Sequence, residues 1–492
     1  MKSILSLVVI ALATFTITAA QPNIILLMGD DHGWEETGYN GHPHVKTPVL
    51  DEIAATGLRF NRFYAGHPSC SPTRGSVLTG RHPNRYGTFS PGYSLRPEEI
   101  TVAHRLREAG YATGHFGKWH VGPVKKSSPT NPGAMGFDEW LSHDNFFELN
   151  PMLSRNGGPP KQYMGESSEI IIDDTILFID KAMTAKKPFF TIVWFGSPHE
   201  PYSGLPEDLA LYDNLPEKYA KKTVSLTSNK TGGRTKRPLR DVLRERYAEI
   251  TAMDRAIGKL RRYLKRTGLR ENTLLWYCGD NGTPSSGEAE SPLRGRKGMM
   301  YEGGIRVPGV IEWPARLAKP RLSDVNAVTS DMLPTLCALV GQSLPARPLD
   351  GINLVPLIDG EMTERPSPIC FWSYVIPKER RGKLKPYIDP ELQKGTTPLV
   401  KLMRGIPTRN FVNYHQPAVT EADYHGARTI LDNRYKFHVT AKGKQELYDL
   451  MEDPAEEKEL SESRPEVARE LAKQMKAWQE SVLKSLVGAD YR

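Results

Sequence analysis

Cysteine is scarce in this chain, with 4 residues among 492. Two of them, Cys278 and Cys337, lie in apolar runs that are typical of a protein core. The other two are Cys70 and Cys370. A small domain held together by disulfides needs many closely spaced cysteines. The low count argues against such a scaffold, and we expect no disulfide framework.

Long hydrophobic runs are lacking after the first twenty residues. Lys2 precedes a mostly apolar stretch over residues 4–17, and small residues at 18–20 offer a cleavage site before Gln21. This pattern is typical of a secretory signal peptide, and it is too short for a membrane span. We therefore expect residues 1–20 to be a signal peptide. The mature protein is then periplasmic or secreted, with no membrane-spanning segment.

The 57 acidic residues are outnumbered by 65 lysines and arginines, so the formal net charge is +8. A basic surface favours acidic partners. No nucleic-acid-binding motif is present, and an exported protein does not meet nucleic acid routinely. A sulfated polymer fits both the charge and the predicted export. A generally solvated basic surface explains most individual lysines equally well.

Hydrophobic content of 39% and charged content of 25% are those of an ordinary globular protein. Apolar runs at 24–28, 189–195 and 273–278 predict buried strands. Helices are predicted between them, including one at 98–109 that Gly110 ends. Residues 203–238 are polar and predict an exposed excursion. The composition of the sequence changes near residue 365. Basic, loop-like sequence there precedes a predicted hairpin at 434–450, in which apolar and polar residues alternate, and a predicted helix at 465–486. We expect a catalytic domain over 21–365 and a smaller C-terminal subdomain over 366–492.

Two of the apolar runs end in oxygen-bearing side chains. Asp30 and Asp31 follow the first run, and Asp280 and Asn281 follow the run at 273–278. The carboxyl ends of strands are where ligands bind in open α/β sheets. A site with only oxygen donors suits Ca²⁺ or Mg²⁺ rather than structural zinc. An Asp-Asn-Gly turn alone would be an ordinary turn, but two such pairs predict one shared metal site.

Cys70 lies between a predicted strand at 58–64 and a predicted helix, in a Cys-x-Pro-x-Arg motif at 70–74. Pro72 suits the first turn of a helix. Cys70 is then placed just before a helix N-terminus, whose positive end stabilises negative charge and activates a nucleophile. Arg74 can reach back to the same place. A buried structural cysteine in a loop-to-helix turn is the alternative.

The motif at 70–74, followed by Leu-Thr-Gly-Arg at 78–81, resembles the signature of the formylglycine-dependent sulfatases of the alkaline-phosphatase-like superfamily. Further segments that resemble landmarks of that family occur in order: the two acids at 30–31, Gly-Lys-Trp-His at 117–120, Ser-Pro-His at 197–199, Asp-Asn-Gly at 280–282, and the glycine-rich segments at 297–304. The resemblance implies an α/β, alkaline-phosphatase-like sandwich. In it a large mixed central sheet is flanked by helices, and a smaller C-terminal α+β subdomain carries an antiparallel sheet.

The resemblance also implies an activity, the hydrolysis of sulfate esters, most plausibly on a sulfated carbohydrate. Cys70 would be oxidised by a formylglycine-generating maturation enzyme to formylglycine, whose hydrate attacks sulfur. Calcium, with magnesium as the less favoured choice, would be held by the residues at these positions: Asp30, Asp31, Asp280, Asn281 and the modified Cys70. The sulfate group would be surrounded by Arg74, Lys118, His120, His199 and Lys297.

The same resemblance assigns individual roles. Asp280 would act as the base for the nucleophile, and His199 would protonate the departing oxygen. His120 would help to release sulfate at the end of the cycle. Each of these residues has a structural alternative, such as a satisfied core histidine or a solvated lysine.

Substrate contacts are predicted from two polar and aromatic segments. The first, at 143–147, contains His143 and Asn145, and the second is a basic segment with Arg404, Arg409 and His415. Surface loops and C-terminal packing are equally compatible with both. His32 departs from the commoner family pattern, in which leucine or methionine often follows the acidic pair.

Two alternatives to a sulfatase stay open at this point. A phosphate or phosphonate monoester hydrolase of the same superfamily is the first, although the second set of zinc ligands usual in the phosphatases is not found in the sequence. A catalytically silent sulfoglycan-binding protein is the second. An intact Cys70 and Arg74 argue against it, because a binding protein need not keep a modifiable nucleophile.

Overall fold

The computed structural model describes residues 21–228, 233–287, 290–398 and 409–491. The predicted signal peptide at 1–20 and the predicted substrate-binding residue Arg404 lie outside these ranges. Within them, strands and helices alternate along most of the chain, and no helix is both long enough and apolar enough to cross a bilayer. All four cysteines are free thiols, in line with the expected lack of disulfides.

The strands, in chain order, are β1 (Asn23–Gly29), β2 (Leu58–Phe60), β3 (Phe63–Tyr64), β4 (Ala112–Lys118), β5 (Glu139–His143), β6 (Met152–Arg155), β7 (Lys161–Gln162), β8 (Phe189–Trp194), β9 (Thr223–Thr227), β10 (Arg234–Pro238), β11 (Thr273–Gly279), β12 (Arg306–Val307), β13 (Gly309–Glu312), β14 (Arg321–Ser323), β15 (Ala327–Val328), β16 (Ile369–Trp372), β17 (Arg428–Leu431), β18 (Tyr435–Val439) and β19 (Gln445–Asp449).

The α-helices are α1 (Pro48–Thr56), α2 (Cys70–Thr79), α3 (Val102–Glu108), α4 (Ser167–Thr184), α5 (Pro206–Ala210), α6 (Glu217–Ala220), α7 (Leu239–Arg266), α8 (Glu302–Ile305), α9 (Met332–Val340), α10 (Val355–Asp359) and α11 (Pro465–Leu486).

A 10-stranded mixed sheet forms the centre, in the order β14-β2-β13-β11-β1-β8-β4-β5-β6-β7. Its middle strands β11, β1, β8, β4 and β5 are parallel. Along β1 the side chains alternate between two cores: Ile24, Leu26 and Met28 face one, and Ile25 and Leu27 face the other. An unbroken apolar run is what a strand covered by helices on both faces requires.

Helices cover both faces of this sheet. Residues of α2, α3 and α9 join the first core, and residues of α1, α4 and α7 join the second. The predicted sandwich with a large mixed central sheet is thereby confirmed. The smaller antiparallel sheet is also present, as four strands in the order β16-β17-β18-β19, with α11 packed against it. The division at residue 365 stays a prediction.

Three local predictions were wrong. The expected strand at 58–64 is two strands, since β2 joins the central sheet while β3 pairs with β12 and β15. The expected helix at 98–109 begins only at Val102, because the Thr101 hydroxyl accepts the N–H of His104 and caps it there. The supposed exposed excursion at 203–238 contains α5, α6, β9 and β10, and buries Tyr212 and Tyr219 against α7.

Candidate active site

The carboxyl ends of β1 and β11 meet at one edge of the central sheet. Gly29 and Gly279 are register partners at the ends of these parallel strands. Asp30 and Asp31 therefore emerge beside Asp280 and Asn281. The backbone N–H of Asp31 donates to Oδ1 of Asp280 over 2.9 Å. The prediction that the two oxygen-bearing pairs come together agrees with this geometry.

Each of the three aspartates is paired with a cation. Lys118 Nζ lies 2.6 Å from Oδ2 of Asp30, and Lys297 Nζ lies 2.6 Å from Oδ1 of Asp31. Arg74 Nη2 donates to Oδ2 of Asp280 over 2.7 Å. Most of these groups are fully buried, with Lys297 the most accessible at 22% side-chain exposure. Unpaired charges would be costly here, so this pairing is what lets the cluster exist.

Cys70 is the first residue of α2, with Ser69 at the N-cap. Its Sγ is 3.5 Å from Oδ1 of Asp30 and 3.7 Å from Oδ1 of Asp31. Burial, and after it the Asp280 carboxylate, raises the pKa of the Cys70 thiol. The helix N-terminus was expected to activate this group, but burial among carboxylates outweighs the helix dipole and keeps the thiol protonated. The unmodified cysteine is therefore a poor nucleophile.

His199, in the segment after β8, lies beside the carboxylate of Asp31. Its Nε2 is 3.6 Å from Oδ2 of Asp31 and 3.5 Å from Nζ of Lys297. Its Nδ1 is 2.5 Å from the carbonyl oxygen of Glu200, which can only accept, so Nδ1 carries a hydrogen. The ring of Phe146 stacks on the imidazole at 4.3 Å between centroids. Burial lowers the pKa of His199 to about 3, against the opposing effect of Asp31, so the imidazole is neutral.

His120 follows Lys118 at the end of β4 and adopts a left-handed backbone, with φ of 57°. Asp31 does the same, with φ of 62°. Residues other than glycine seldom take this conformation, and such outliers concentrate at functional sites. Both ring nitrogens of His120 are buried and have no hydrogen-bond partner in the part of the chain that the structure describes. Burial, and then Lys118, lowers the pKa of His120, which leaves a neutral ring with free hydrogen-bonding capacity.

The glycine-rich loop around Lys297 is held against the Cys70 turn. Gly298 N–H donates to the carbonyl of Pro68 over 2.8 Å, and Lys297 N–H donates to the carbonyl of Thr283 over 3.0 Å. A Cβ at Gly282 would lie 1.9 Å from the carbonyl oxygen of Gly303. Glycine is required at this crossing because the two backbone segments pass too closely for any side chain.

The carboxylate and amide oxygens at this edge of the sheet are the donors that a hard cation takes. Donor atoms of Asp30, Asp31, Cys70 and His199 all lie within 4.8 Å of one another. Asn281 donates its Nδ2 hydrogen to Oδ1 of Asp31 over 2.9 Å, while its Oδ1 is buried without a partner among the described residues. A buried amide oxygen lacking a donor, beside carboxylates, fits an oxygen-liganded metal. Asp280 is outside the four-residue group and binds Arg74 instead.

The residues that were predicted to contact substrate differ in their hydrogen bonding and exposure. His143 was predicted to contact substrate, but its Nδ1 accepts the backbone N–H of Asn145 over 3.0 Å and its Nε2 donates to the carbonyl of Pro398 over 3.2 Å, which leaves neither nitrogen for a ligand. Asn145 keeps a buried Oδ1 without a partner in the described chain. His415 is exposed and packs on Tyr387, at 4.3 Å between ring centroids.

Arg409 is the basic-segment residue that the structure brings close to the site. Its guanidinium packs across Gly92, and Phe411, two residues later, lies 6.2 Å from the His120 ring. The positive charge of Arg409 helps to lower the pKa of His120, after burial and Lys118. Among the described residues no carboxylate forms a salt bridge with Arg409, and burial lowers the pKa of the Arg409 guanidinium. A desolvated cation without a counter-ion is suited to an anionic ligand.

The family model named Sulfatase matches residues 22–342, which is well over half of the chain. The chain belongs to the sulfatase family. Members of this family are sulfuric ester hydrolases, so the chain is an enzyme of that class, within the alkaline-phosphatase-like superfamily. The family resemblance predicted from the motifs is thereby confirmed.

Curated sulfatases are similar to much of this chain. Arylsulfatase A of Homo sapiens is 33% identical over 396 residues, covering 76% of this chain and 74% of the relative. N-acetylgalactosamine-6-sulfatase of Canis lupus familiaris is 30% identical over 385 residues, covering 70% and 67%. Among solved structures, Ps i-CgsB in complex with a neocarrahexaose superposes with a TM-score of 0.73 at 23% identity, covering 94% of this chain and 93% of that one. At that identity the superposition supports the fold alone.

Sequence reasoning about this sulfatase missed two residues at the site. Phe146 stacks on His199, but the loop around it was predicted to act through His143 and Asn145. Arg246 of α7 donates to the carbonyl of Asp31 and to the carbonyl of Pro198, which precedes His199. No local pattern distinguishes it from the other charged residues of α7.

Proposed function

We propose that this sulfatase hydrolyses sulfate esters of a sulfated carbohydrate outside the cytoplasm, with formylglycine formed from Cys70 and with calcium as the metal. One observation carries the proposal: a buried thiol in the Cys-x-Pro-x-Arg motif lies among Asp30, Asp31 and Asp280, each of which is paired with a cation. The names of the relatives support the substrate class, since one of them acts on a sulfated N-acetylgalactosamine.

Formylglycine would supply the nucleophile that the thiol does not. Its hydrate offers a hydroxyl group at the position of Sγ, next to carboxylates that can accept a proton. Burial, and then Asp30, raises the pKa of Asp280 to about 6, which brings it close to the range of a general base at neutral pH. Asp280 is therefore proposed as the base, in partnership with Arg74.

Calcium would be held by Asp30, Asp31, Asp280, Asn281 and the modified Cys70. When bound, a hard divalent cation neutralises negative charge on the sulfate oxygens and on the nucleophile. The protein adds fixed cations of its own. Arg74, Lys118 and Lys297 are already placed around the carboxylates and would stabilise the charge that builds up on sulfate in the transition state.

His199 is proposed as the general acid. Because Nδ1–H is committed to the Glu200 carbonyl, Nε2 is the atom that gains and loses a proton. An anionic sulfate group arriving beside this ring would raise its pKa, since nearby negative charge favours the protonated form. The neutral His199 of this structure would thus become protonated as substrate binds. It would then deliver that proton to the departing sugar oxygen.

His120 is proposed to act in the release of sulfate. Its two ring nitrogens are free of hydrogen-bond partners within the described chain, and its lowered pKa keeps the ring neutral, with one nitrogen able to donate and the other able to accept a hydrogen bond. Arg409, the neighbouring half-buried guanidinium, would bind an anionic group of the substrate. Asn145 and His415 stay proposed substrate contacts, and Arg404 lies outside the described residues.

Export and maturation belong to the same proposal. Residues 1–20 would be removed before Gln21, and a formylglycine-generating enzyme would be the maturation partner. Export into the periplasm or the medium would bring the basic protein to sulfated polymers. N-terminal sequencing of the exported protein would test the cleavage site directly.

The experiment that tests the function is a desulfation screen over defined sulfated saccharides with chromatographic detection of products. The protein is produced with a maturation enzyme and loaded with calcium, and Cys70→Ala is the inactive control. Release of sulfate from at least one saccharide is expected. A matching panel of phosphate and phosphonate monoesters tests the other hydrolase activity of the superfamily. Faster turnover of those esters, or binding of sulfated saccharides with no turnover at all, would contradict the proposal.

A further inference from the structure

Arg246 lies in the middle of α7 and is fully buried. A guanidinium has five N–H donors in a planar fork, and all five have acceptors here. Nε and one Nη2 hydrogen bind the two carboxylate oxygens of Glu36, at 2.6 Å and 2.5 Å. The other Nη2 hydrogen binds the Asp31 carbonyl at 2.6 Å. Nη1 binds the Pro198 carbonyl at 2.6 Å and the Tyr202 hydroxyl at 3.2 Å.

These acceptors belong to segments that follow different strands. Asp31 and Glu36 follow β1, and Pro198 follows β8 and immediately precedes His199. Glu36 extends the network, because its Oε2 also accepts the hydroxyl of Thr283 at 2.9 Å. Thr283 lies two residues beyond Asn281, in the segment after β11. One guanidinium thus connects the three segments that carry Asp31, His199 and Asn281.

We propose that Arg246, held by Glu36, is a positioning residue that fixes the Asp31 backbone and the His199 turn relative to each other. It touches neither the sulfate position nor a reacting atom in this geometry. Its effect on catalysis rests on the proposed function, in which Asp31 holds the metal and His199 delivers a proton. Its effect on metal affinity depends only on the metal site.

The chemistry of the side chain accounts for arginine at this position. A bidentate pair with a carboxylate fixes the plane of the guanidinium, so the remaining donors point in defined directions. Lysine would keep the charge, but its ammonium has three donors and no fixed plane. It cannot serve Glu36, Asp31 and Pro198 together with the same geometry. Groups that orient metal ligands usually change affinity by about 10–100-fold when they are altered.

The same helix offers a matched control in Arg261. Its Nε and Nη2 bind the two carboxylate oxygens of Glu312, at 3.0 Å and 2.7 Å. Arg261 is buried, with 8% side-chain exposure, and it binds Glu312 and Glu52, neither of which is a proposed metal ligand or catalytic residue. Arg261→Lys therefore disturbs a comparable arginine–glutamate pair in α7 without touching Asp31, Pro198 or Thr283.

The test compares Arg246→Lys with Arg261→Lys in the full mature chain. Calcium affinity is measured by calorimetry on metal-stripped protein, with Ca²⁺ alone as the titrant. We expect Arg246→Lys to bind calcium about 10–100-fold more weakly, and Arg261→Lys to bind it like the wild type. At saturating calcium, Arg246→Lys should also lose more turnover with a sulfated sugar than with 4-nitrophenyl sulfate. A displaced His199 matters most for the poorer leaving group.

A purely structural Arg246 gives a different result. Arg246→Lys would then lower the melting temperature as Arg261→Lys does, with unchanged calcium affinity and an unchanged ratio between the two substrates, and the proposal would be overturned. If Arg246→Lys does not fold, Glu36→Gln compared with Glu312→Gln decides by the same two measurements. If the wild type hydrolyses no sulfate ester, the proposed function fails, while the calcium titration still decides whether Arg246 positions Asp31.

Discussion

Lys297 Nζ is bound to both carboxylate oxygens of Asp31, at 2.6 Å and 2.7 Å. The same ammonium is 3.5 Å from Nε2 of His199. A fixed cation and the proposed proton donor therefore both lie beside the Asp31 carboxylate. Their contributions to catalysis are nevertheless separable, because one offers charge to sulfate and the other offers a proton to the departing oxygen.

Replacing His199 with alanine should make turnover depend strongly on the leaving group. A sugar alkoxide is strongly basic and needs a proton in the transition state, whereas 4-nitrophenolate leaves almost unaided. His199→Ala should lower turnover of a sulfated sugar by about 10²–10⁴-fold and that of 4-nitrophenyl sulfate much less. Steady-state kinetics at saturating substrate measure both values.

Lys297→Ala is the matched comparison at the same site. Loss of a cation that stabilises sulfate charge should reduce turnover of both substrates by about 10²–10³-fold. Metal and formylglycine content are determined for each variant beforehand. Equal losses on both substrates for His199→Ala would reject the general-acid role and leave His199 as a sulfate-binding residue.

Calcium affinity should fall when one of the carboxylates at the edge of the sheet is removed. Asp280→Asn keeps the shape but removes one negative charge, which weakens a calcium site by on the order of tenfold or more. Elemental analysis of the wild type should give calcium, and titration of Asp280→Asn should give the weaker affinity. Asp254→Asn, at a buried aspartate on α7, is the control that keeps wild-type affinity. Stoichiometric zinc in the wild type would contradict the assignment.

Cys70 should be formylglycine in protein from a host that carries the maturation enzyme. Peptide mass spectrometry of the tryptic fragment would show loss of the sulfur, while Cys337 in the same digest stays a thiol because it lacks the motif. Turnover should rise in proportion to the converted fraction. Full activity from protein with only unmodified Cys70 would refute the prediction.

Lys436 should be indispensable for the packing of the C-terminal sheet on the catalytic part. Its Nζ is completely buried between Glu302, at 3.0 Å, and Glu456, at 2.8 Å. Lys436→Met leaves the buried Glu456 carboxylate without a cation and Glu302 with only Arg306, at 3.8 Å. Removing one partner of a buried ion pair costs about 3–5 kcal/mol. Thermal unfolding should show a clear drop in melting temperature. Lys444→Met, at an exposed lysine paired with Glu446, should change it little, and equal effects of the two would contradict the prediction.

Sequence patterns predicted the central strands and the edge of the sheet where the site forms, because buried parallel strands and strand-end acids leave local signals. The runs around Ile24 and Leu274 are covered on both faces, as an unbroken apolar pattern requires. The C-terminal helix at 465–486 was also predicted with its bounds, since Pro465 starts it and its apolar face repeats regularly.

Other features depend on partners far away in the chain and leave no local trace. Whether His143 faces substrate depends on the carbonyl of Pro398, and Arg246 matters because of Asp31 and Pro198. Burial, and after it the carboxylates of Asp280 and Asp30 from two other segments, raises the pKa of the Cys70 thiol, so the helix-terminus argument was incomplete. Tertiary burial outweighed a correct local rule in this case.

Asp254 should make the stability of the fold pH-dependent. It accepts the N–H groups of Val49 and Leu50 at the start of α1, and burial raises its pKa to about 7 from 3.8. A raised folded-state pKa gives stability that is fully present below about pH 4 and lost as the pH rises through about 7. At about 1.4 kcal/mol per pKa unit, the free energy of unfolding changes by about 4 kcal/mol over this range.

Asp254→Asn removes this titration and one hydrogen-bond acceptor, and the second effect does not depend on pH. The difference in melting temperature between wild type and Asp254→Asn should therefore favour the wild type most at pH 4.5 and shrink toward pH 8. A constant difference across that range would show that Asp254 does not titrate there.

The burial of α2 limits the time at which Cys70 can be modified during biosynthesis. All ten residues of this helix are enclosed, and Cys70 is 1% exposed in the finished fold. A maturation enzyme that oxidises Cys70 must reach its thiol. The residues that enclose this place include Asp280, which binds Arg74, and Gly298, which binds Pro68, and both are synthesised long after residue 70. Conversion as proposed must therefore take place while the nascent chain is still open, and a chain that folds first is locked in its cysteine form.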